Sequence, residues 1–210
     1  MAHVEFADVP TPIGSFRVVY EGRAVHSVDL LERGLDQVGV PVGARQRRPP
    51  FSAGSPPREL GEYFRGKRSS FDLVLDPSLG TEFDRQVWTI LSRVPAGSTV
   101  TYADLARRAG HPGAARAVGG AMRRNPIPII VPCHRVVGSA GDLTGFGLGL
   151  WRKRWLLDHE GAWPLKTRSV EGPRGRSQRT LDFLLEPTVS GRRARVARAA
   201  DSLPAPVLTP

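Results

Sequence analysis

The residues with the clearest chemical potential are a cysteine and a histidine that stand next to each other, Cys133 and His134. Cys133 is the only cysteine among 210 residues, so it cannot form a disulfide within the chain and is a poor start for a thiolate metal site. A lone thiol that does chemistry is therefore expected to act as a nucleophile. The alternative at this point is a buried cysteine that only packs in the core, as free cysteines often do.

A second chemical feature is the excess of positive charge after residue 81. Lys and Arg balance Asp and Glu at 10 against 10 in residues 1–81, but they number 11 against 6 in residues 82–161 and 9 against 4 in residues 162–210. A basic surface attracts nucleic acid because Lys and Arg neutralise its phosphates and release counterions. Charge alone fits equally well a chain that uses it only for solubility.

The elements around the cysteine follow from the sequence pattern. Apolar residues at helical spacing predict a helix over residues 83–94. Thr101 and Asp104 have the spacing of an N-cap and the third helical residue, which predicts a helix that begins there and ends near Gly110. Residues 113–124 predict a further helix. Two short helices joined by a tight turn in a basic region are typical of a helix-turn-helix.

The helix expected over residues 113–124 consists almost wholly of small residues and arginines. Its glycines lower its intrinsic helical stability, each by about 1 kcal/mol relative to alanine. Small side chains let a backbone approach something large, which is either a neighbouring part of the core or a nucleic acid. Arg116, Arg123 and Arg124 favour nucleic acid.

The first 80 residues predict a small α/β domain without an obvious catalytic residue. Alternating apolar residues predict a β-hairpin with strands over residues 16–20 and 24–31. Proline, glycine and arginine predict a loop over residues 38–57. A short helix is expected over residues 58–64, and a strand over residues 70–75.

Three linked motifs in this order resemble the O6-alkylguanine-DNA alkyltransferases, also called methylated-DNA–protein-cysteine methyltransferases. They are Arg-Ala-Val-Gly at residues 116–119, Asn-Pro at residues 125–126 and Pro-Cys-His-Arg-Val at residues 132–136. The resemblance is close from about residue 83 to residue 161 and loose over residues 1–81.

The resemblance implies an α+β fold with two domains. Residues 1–78 would form an N-terminal ribonuclease H-like antiparallel-sheet domain. Residues 79–165 would form a C-terminal helical winged-helix-type DNA-binding domain that carries the catalysis. Residues 166–210 lie beyond the resemblance and are expected to be a basic, mostly disordered tail, with a short helical turn near residues 181–185.

The same resemblance implies DNA repair by direct damage reversal, with double-stranded DNA containing O6-alkylguanine as the partner. The damaged base is rotated out of the duplex, and its alkyl group moves irreversibly onto Cys133, one molecule of protein per lesion. O4-alkylthymine is expected as a second substrate. We expect a cytoplasmic monomer without a cofactor, without a metal (the cysteines of the family's zinc site are absent) and without a membrane-spanning segment.

The resemblance also assigns roles to the residues around the thiol. Cys133 accepts the alkyl group, and His134 contacts it through a water while Glu160 orients the imidazole, in the manner of a protease triad. Tyr102 donates a hydrogen bond to the guanine, and Asn125 braces the turn that holds the cysteine. Read from the sequence without the resemblance, Glu160 is more simply a solvated acid at a helix end.

Further positions are expected at the DNA interface or in the base pocket. Arg116 would enter the base stack and fill the gap left by the flipped nucleotide. The expected DNA contacts are Arg116, Ala115, Gly119, Arg123, Thr101 and Tyr102. The expected pocket residues are Met122, Pro128, Val136, Phe146 and Gly147. Phe146 and Leu148 depart from the family's usual tyrosine and small residue, so we expect Leu148 to reshape the pocket and alter the tolerance for bulky alkyl groups.

Three other functions compete with this interpretation. A cysteine hydrolase would use Cys133 and His134, but nothing besides the pair supports it. A non-enzymatic protein that binds alkylated DNA, similar to the alkyltransferase-like proteins, would lack the reactive cysteine, so Cys133 argues against it. A transcriptional helix-turn-helix protein has no use for the motif at residues 132–136.

Overall fold

The computed structural model describes residues 3–33, 40–76 and 78–163, and its N-terminal half is built on one five-stranded sheet. The strands are β1 (Glu5–Thr11), β2 (Gly14–Glu21), β3 (Ala24–Leu30), β4 (Arg45–Gln46) and β5 (Val74–Leu75). Their order across the sheet is β4-β1-β2-β3-β5. The predicted hairpin is confirmed: β2 and β3 pair antiparallel, with Val18 opposite Val28.

The sheet is mixed, which corrects the expectation of an antiparallel sheet. β2 pairs antiparallel with β1 and with β3, but β4 pairs parallel with β1 and β5 pairs parallel with β3. A parallel partner requires the chain to cross back to the starting end of the sheet. Helix α1 (Pro56–Phe64) lies in the crossover that leads to β5. The edge strands are two residues long, and only Val74 and Leu75 of the strand expected over residues 70–75 are extended in the sheet.

Strand β1 was not predicted, because Pro10 in its last part and Pro12 just after its end indicated a turn. Proline cannot donate a hydrogen bond to a neighbouring strand and is tolerated where no partner needs that donor. β4 contacts β1 only at Glu5 and Phe6, so the edge of β1 beside Pro10 carries no strand that would accept from it. Ala7 and Val9 alternate with more exposed residues and are buried, as expected for a strand with one face on the core.

The C-terminal half is helical, with a minimal second sheet. Its helices are α2 (Glu82–Leu91), α3 (Tyr102–Arg108), α4 (Ala115–Arg123) and α5 (Leu150–His159), and its two strands, which pair parallel, are β6 (Val100–Thr101) and β7 (Val136–Val137). The helices expected over residues 83–94, 101–110 and 113–124 are therefore present, each ending one to three residues earlier than expected. The predicted N-cap is confirmed, since the Thr101 hydroxyl accepts from the backbone N–H of Asp104 at 3.1 Å.

An ion pair joins the start of α2 to the end of α4. Asp84 closes a capping box with Thr81, and its carboxylate also accepts two hydrogen bonds from the guanidinium of Arg124, at 2.7 and 3.0 Å. The hydrogen bonds from Arg124 outweigh the effect of burial and lower the pKa of Asp84 to about 2. Trp88 adds a second link, because its indole N–H donates to the carbonyl of Ala121 at 3.0 Å. These contacts hold α4 at a defined position on α2.

Buried side chains from both halves form one continuous hydrophobic cluster, which includes Phe16 and Leu60 as well as Val87 and Leu156. A backbone hydrogen bond from Val28 to Pro126 also crosses between the halves. The division into domains at residues 78 and 79 stays a prediction, and the expected tail over residues 166–210 lies outside the described residues. No helix in the described part of the chain is long and apolar enough to cross a membrane.

Candidate active site

The cysteine lies in a 3₁₀ turn, Cys133–Arg135, which leads directly into β7. Cys133 is only 7% exposed, and its backbone N–H donates to the carbonyl of Val131 at 2.8 Å. The thiol is therefore held in the protein interior. A buried position alone would fit the core-packing alternative equally well, so the neighbours of the thiol decide between the two.

Asn125 braces the segment that leads to the cysteine. Its side-chain amide donates to the carbonyl of Val131 at 3.0 Å, and its side-chain oxygen accepts from the backbone N–H of Ile127 at 3.1 Å. Within this segment Ile129 has φ of 77°, a left-handed conformation that is costly for a β-branched residue, by about 1–3 kcal/mol. The Asn125 hydrogen bonds and the burial of Ile129 offset that strain and set the direction in which Cys133 points.

His134 is completely buried, and its Nε2 lies 3.0 Å from Oε1 of Glu160. Glu160 follows directly after α5, and only 2% of its side chain is exposed. A carboxylate can only accept, so the proton of the neutral imidazole lies on Nε2 and Nδ1 is left as an acceptor. Nδ1 has no hydrogen-bond partner within the described part of the chain. His134 therefore carries a buried basic nitrogen that is free to take a proton.

Glu160 is held by more donors than the sequence indicated. Arg135 donates to both carboxylate oxygens, from Nε at 2.9 Å and from Nη2 at 2.7 Å, and the hydroxyl of Tyr63 donates to Oε1 at 2.8 Å. Arg135 also donates to the carbonyl of Val94 at 2.5 Å. Burial opposes the charge on Glu160, but the hydrogen bonds from His134 and Arg135 outweigh it and hold its pKa well below the usual range.

Burial lowers the pKa of His134, and it does so against the opposing influence of Glu160. The imidazole is therefore neutral at neutral pH and can act as a proton acceptor. Burial also raises the pKa of the Cys133 thiol, although the Asn125 side chain and the positive charge of Lys153 act in the other direction. The resting state at neutral pH is a thiol beside a neutral histidine.

Lys153 was not among the expected site residues, although its positive charge lowers the pKa of the Cys133 thiol. It is fully buried in α5, and its ammonium donates to the carbonyls of Val136 at 2.6 Å and Thr144 at 2.5 Å, with Gly145 further away at 3.4 Å. Burial lowers its pKa to about 8, and the charge of Cys133 acts against that shift. Lys153 therefore ties the segment after the cysteine to the loop at residues 144–145 and places a positive charge near the sulfur.

Tyr102 meets the same loop from the other side. It is the first residue of α3, it is half-buried, and its hydroxyl lies 3.5 Å from the carbonyl of Thr144. Burial raises its pKa, the hydrogen bond to Thr144 acts against that shift, and Cys133 adds to it. The phenol is consequently protonated at neutral pH and can donate a hydrogen bond.

Helix α4 presents its arginines and one glycine away from the core. Val118 and Ala121 are buried, whereas Arg116 and Arg123 are exposed. A Cβ built on Gly119 would meet no atom of the described residues within 4 Å. Packing within the described part of the chain thus gives no reason for a glycine at this position, which favours close approach of a partner.

The remaining expected residues surround the turn and the loop after it. Pro128 and Val136 are buried, Met122 and Phe146 are partly buried against the hydrophobic cluster, Gly147 is exposed, and Ala115 and Thr101 are half-buried. Leu148 is 6% exposed and belongs to the same cluster as Cys133. Among the described residues, no group of three His, Cys, Asp or Glu side chains could hold a metal ion.

The structure brings Cys133, His134, Glu160 and Asn125 into one region and leaves Arg116 and Arg123 on an outer face. Sequence reasoning missed Tyr63, Arg135 and Lys153. Arg135 had a signal, since it stands inside the motif at residues 132–136. Nothing in the sequence pointed to Lys153, in the middle of α5, or to Tyr63, in the N-terminal half. Most lysines within helices lie on the surface, and most tyrosines of this kind only pack in the core.

Residues 82–162 match the family described as 6-O-methylguanine DNA methyltransferase, DNA binding domain. A methylated-DNA–protein-cysteine methyltransferase of Methanosarcina acetivorans is 41% identical over 157 residues, which are 75% of this chain and 98% of that protein. The methyltransferase of the same name from Mycolicibacterium paratuberculosis is 43% identical over 154 residues, which are 73% of this chain and 90% of that protein.

Solved structures agree with the sequences and with the mixed α/β fold. The crystal structure of Mycobacterium tuberculosis O6-methylguanine methyltransferase superposes with a TM-score of 0.65 at 38% identity, over 78% of this chain and 96% of that one. The crystal structure of Mycobacterium tuberculosis OGT in complex with DNA gives a TM-score of 0.65 at 39% identity, over 75% and 93%. The chain described here, with its single cysteine set beside a buried histidine and glutamate, therefore belongs to the family of methylated-DNA–protein-cysteine methyltransferases.

Proposed function

We propose that this protein repairs DNA by moving the alkyl group of O6-alkylguanine, and also of O4-alkylthymine, onto Sγ of Cys133. Transfer of a methyl group from DNA to a cysteine of the protein follows from the family membership. The observation that carries the assignment is that the only cysteine of the chain lies beside the buried pair of His134 and Glu160. The thioether that forms is not reversed, so each molecule repairs one lesion.

The reaction is a single nucleophilic displacement at the alkyl carbon, and the residues of the site have separate roles in it. The sulfur forms a bond to the alkyl carbon while the bond from that carbon to O6 breaks, and the electron pair returns to the guanine. The guanine takes up one proton at N1, which balances the proton that the thiol loses. His134 accepts the thiol proton at Nδ1 through a water, and Glu160 holds the opposite N–H. The protonated hydroxyl of Tyr102 donates to the departing purine.

Ionisation of the thiol contributes little of the acceleration. A thiol of pKa ~8.5 is about 3% ionised at pH 7; a pKa of ~7 would give about half, but nucleophilicity falls with a Brønsted slope of about 0.4–0.5, so the gain is about three- to fourfold. Burial raises the pKa of Cys133 still further. Holding the flipped base in line with the sulfur, and stabilising the purine as it leaves, must supply most of the rate.

The direct test is to incubate the protein with a duplex that carries O6-methylguanine and to analyse the peptides by mass spectrometry, with an undamaged duplex as control. We expect one methyl group per molecule, on Cys133, and no turnover. Tight lesion binding with an unmodified Cys133 would favour a lesion-binding protein instead. Repeated turnover would favour a hydrolase. A parallel duplex with O4-methylthymine tests the second substrate.

We propose α3 and α4 as the DNA-binding helices, with α4 against the duplex. The exposed arginines of α4 and the open space at Gly119 support this placement. Contacts from Ala115, Thr101 and Tyr102, at the starts of α4 and α3, would complete the interface. Arg116 would occupy the space that the flipped nucleotide leaves, where its flat guanidinium substitutes for a stacked base.

Arg116→Ala is expected to slow transfer from a lesion in duplex DNA about tenfold or more, because flipping a base costs a few kcal/mol that the arginine offsets. Transfer from the same lesion in single-stranded DNA should change much less, since no paired base needs to leave a stack. Arg65→Ala, at an exposed arginine after α1, is the matched control. Equal losses on both substrates would contradict the stacking role. Single-turnover rates on the two DNAs provide the measurement.

Gly119→Ala is expected to act in opposite directions on stability and on DNA binding. An alanine inside α4 should raise the free energy of unfolding by up to about 1 kcal/mol, since the added methyl meets nothing in the described structure. The same methyl would stand between α4 and the duplex and weaken binding. Gly61→Ala in α1, where the three atoms nearest to the methyl all belong to the flexible guanidinium of Arg65, is the control. A Gly119→Ala variant that binds DNA normally would place the interface elsewhere.

We propose that Met122, Pro128, Val136, Phe146 and Gly147 line the base pocket. Leu148 is buried in the cluster that contains Cys133 and lies next to this loop, which supports the proposal that it reshapes the pocket. Relative transfer rates of methyl and benzyl lesions in Leu148→Gly would test it.

We also propose that the chain folds into two domains. A ribonuclease H-like N-terminal domain over residues 1–78 is supported by the antiparallel β1-β2-β3 core with α1, and a winged-helix-type domain over residues 79–165 by α2, α3 and α4 with the small sheet. We propose a monomer, since one chain supplies every group of the site. We also propose the reducing cytoplasm, where Cys133 stays a thiol.

A further inference from the structure

Tyr63 forms hydrogen bonds with two successive residues at the end of α5, His159 and Glu160. Its hydroxyl donates to Glu160 at 2.8 Å, and its backbone carbonyl lies 2.8 Å from Nε2 of His159. The ring of Tyr63 stands edge-on to the ring of His159, with 5.2 Å between the centroids, and Trp155 stacks on His159. The end of α5 is therefore held against the end of α1, which belongs to the N-terminal half.

The hydroxyl of Tyr63 meets the same oxygen that holds the histidine. Oε1 of Glu160 accepts from Tyr63, from Nε2 of His134 and from Nη2 of Arg135. Tyr63 is 1% exposed, and burial together with the charge of Glu160 raises the pKa of its phenol, so the hydroxyl stays protonated and donates. Each donor withdraws charge from Oε1, and Tyr63 thereby acts on His134 without contacting it.

We propose that Tyr63 is a positioning residue of alkyl transfer, which orients the Glu160 carboxylate and through it the imidazole of His134. The inference rests on the proposed function, in which His134 takes the proton of Cys133. It gives the N-terminal half a part in the reaction.

The test is Tyr63→Phe, which removes one hydroxyl and keeps the buried ring. We expect transfer from a saturating O6-methylguanine duplex to slow about tenfold, as for the loss of one hydrogen bond to an ionised group. The affinity for the same duplex should stay within about twofold, because α3 and α4 are untouched. The two quantities separate a change in the reacting state from a change in DNA binding.

The pH profile provides a readout that loosened packing would not reproduce. The charged groups that act on His134 are Glu160, Arg135 and Lys153, and Tyr63 contacts only the first of these. Without the hydroxyl, Oε1 carries more negative charge and favours the imidazolium, so the pKa of His134 rises. The acid side of the rate profile, where protonated His134 cannot accept the thiol proton, should therefore move to higher pH.

Tyr20→Phe is the matched control, since Tyr20 is 3% exposed, lies in the same half and interacts with Glu5 and Arg47 rather than with the site. It should leave the rate and the pH profile unchanged. A Tyr63→Phe protein with the wild-type rate and profile, or an equal loss in Tyr20→Phe, would overturn the inference. So would a loss of rate matched by an equal loss of DNA affinity. A wild-type protein that never methylates Cys133 would instead overturn the proposed function.

Discussion

Cys133→Ala is expected to abolish alkyl transfer completely while the protein still binds DNA. No other cysteine exists in the chain, so no second thiol can accept the alkyl group. The groups proposed to bind the duplex lie on α3 and α4 and do not involve the sulfur. The measurements are peptide mass analysis after incubation with an O6-methylguanine duplex, and fluorescence anisotropy of the same duplex over a range of salt concentrations.

The salt dependence of DNA affinity tests this prediction more strictly than an affinity measured at one salt concentration. Binding through Lys and Arg releases counterions from the phosphates, so the slope of log affinity against log salt reports the number of phosphates neutralised. Cys133→Ala should keep the wild-type slope, since it removes no cation. Cys133→Ser is a useful companion, because it retains a hydrogen-bonding group of nearly the same size. Residual methylation in either variant would contradict the assignment of Cys133 as the acceptor. A lost salt dependence would mean that DNA binding depends on the sulfur.

The sequence revealed the parts of this site that are close together in the chain. Cys133 and His134 are adjacent, and Arg135 follows them, so one motif contains the proposed nucleophile, the proposed base and a residue that donates to Glu160. Glu160 lies 26 residues from His134 and was recognisable only through the family resemblance. Tyr63 is 97 residues from Glu160, and no local pattern indicates a contact over that distance.

The same distinction applies to the fold. The N-cap at Thr101 and the hairpin of β2 and β3 depend on neighbouring residues, and both are present. The parallel edge strands β4 and β5 depend on where the chain returns after a crossover, which two-residue strands cannot signal. Ile129 shows most clearly what local sequence cannot predict. Its φ of 77° is unfavourable for isoleucine, so this backbone conformation exists only because the surrounding turn imposes it.

Glu160→Gln is expected to have the largest effect on stability of any single change in the site. The carboxylate accepts four hydrogen bonds, from Tyr63, His134 and both nitrogens of the Arg135 fork. The side-chain amide of glutamine has only one oxygen that can accept these hydrogen bonds, and its NH2 group would face other hydrogen-bond donors. The substitution also leaves the guanidinium of Arg135 buried without a counter-charge. The free energy of unfolding at pH 7 should fall by about 3–5 kcal/mol. Transfer should slow about 100-fold, because His134 loses the group that orients it.

The pH dependence of that loss distinguishes a charge effect from a packing defect. The pKa of Glu160 lies below its usual range in the folded protein, so its ionised form stabilises the fold above the ordinary glutamate pKa of about 4.3. As the pH falls below that value, the unfolded chain takes up the proton first, and the stability advantage of wild type over Glu160→Gln should shrink. Glu62→Gln is the control, because Glu62 pairs with Arg58 and Arg68 on the surface of α1 and should change stability by less than about 1 kcal/mol. Urea unfolding at several pH values between 3 and 7 measures all three proteins. A difference between wild type and Glu160→Gln that stays constant over this range would mean that the glutamine disturbs packing, and that the carboxylate charge is not what holds the histidine in place.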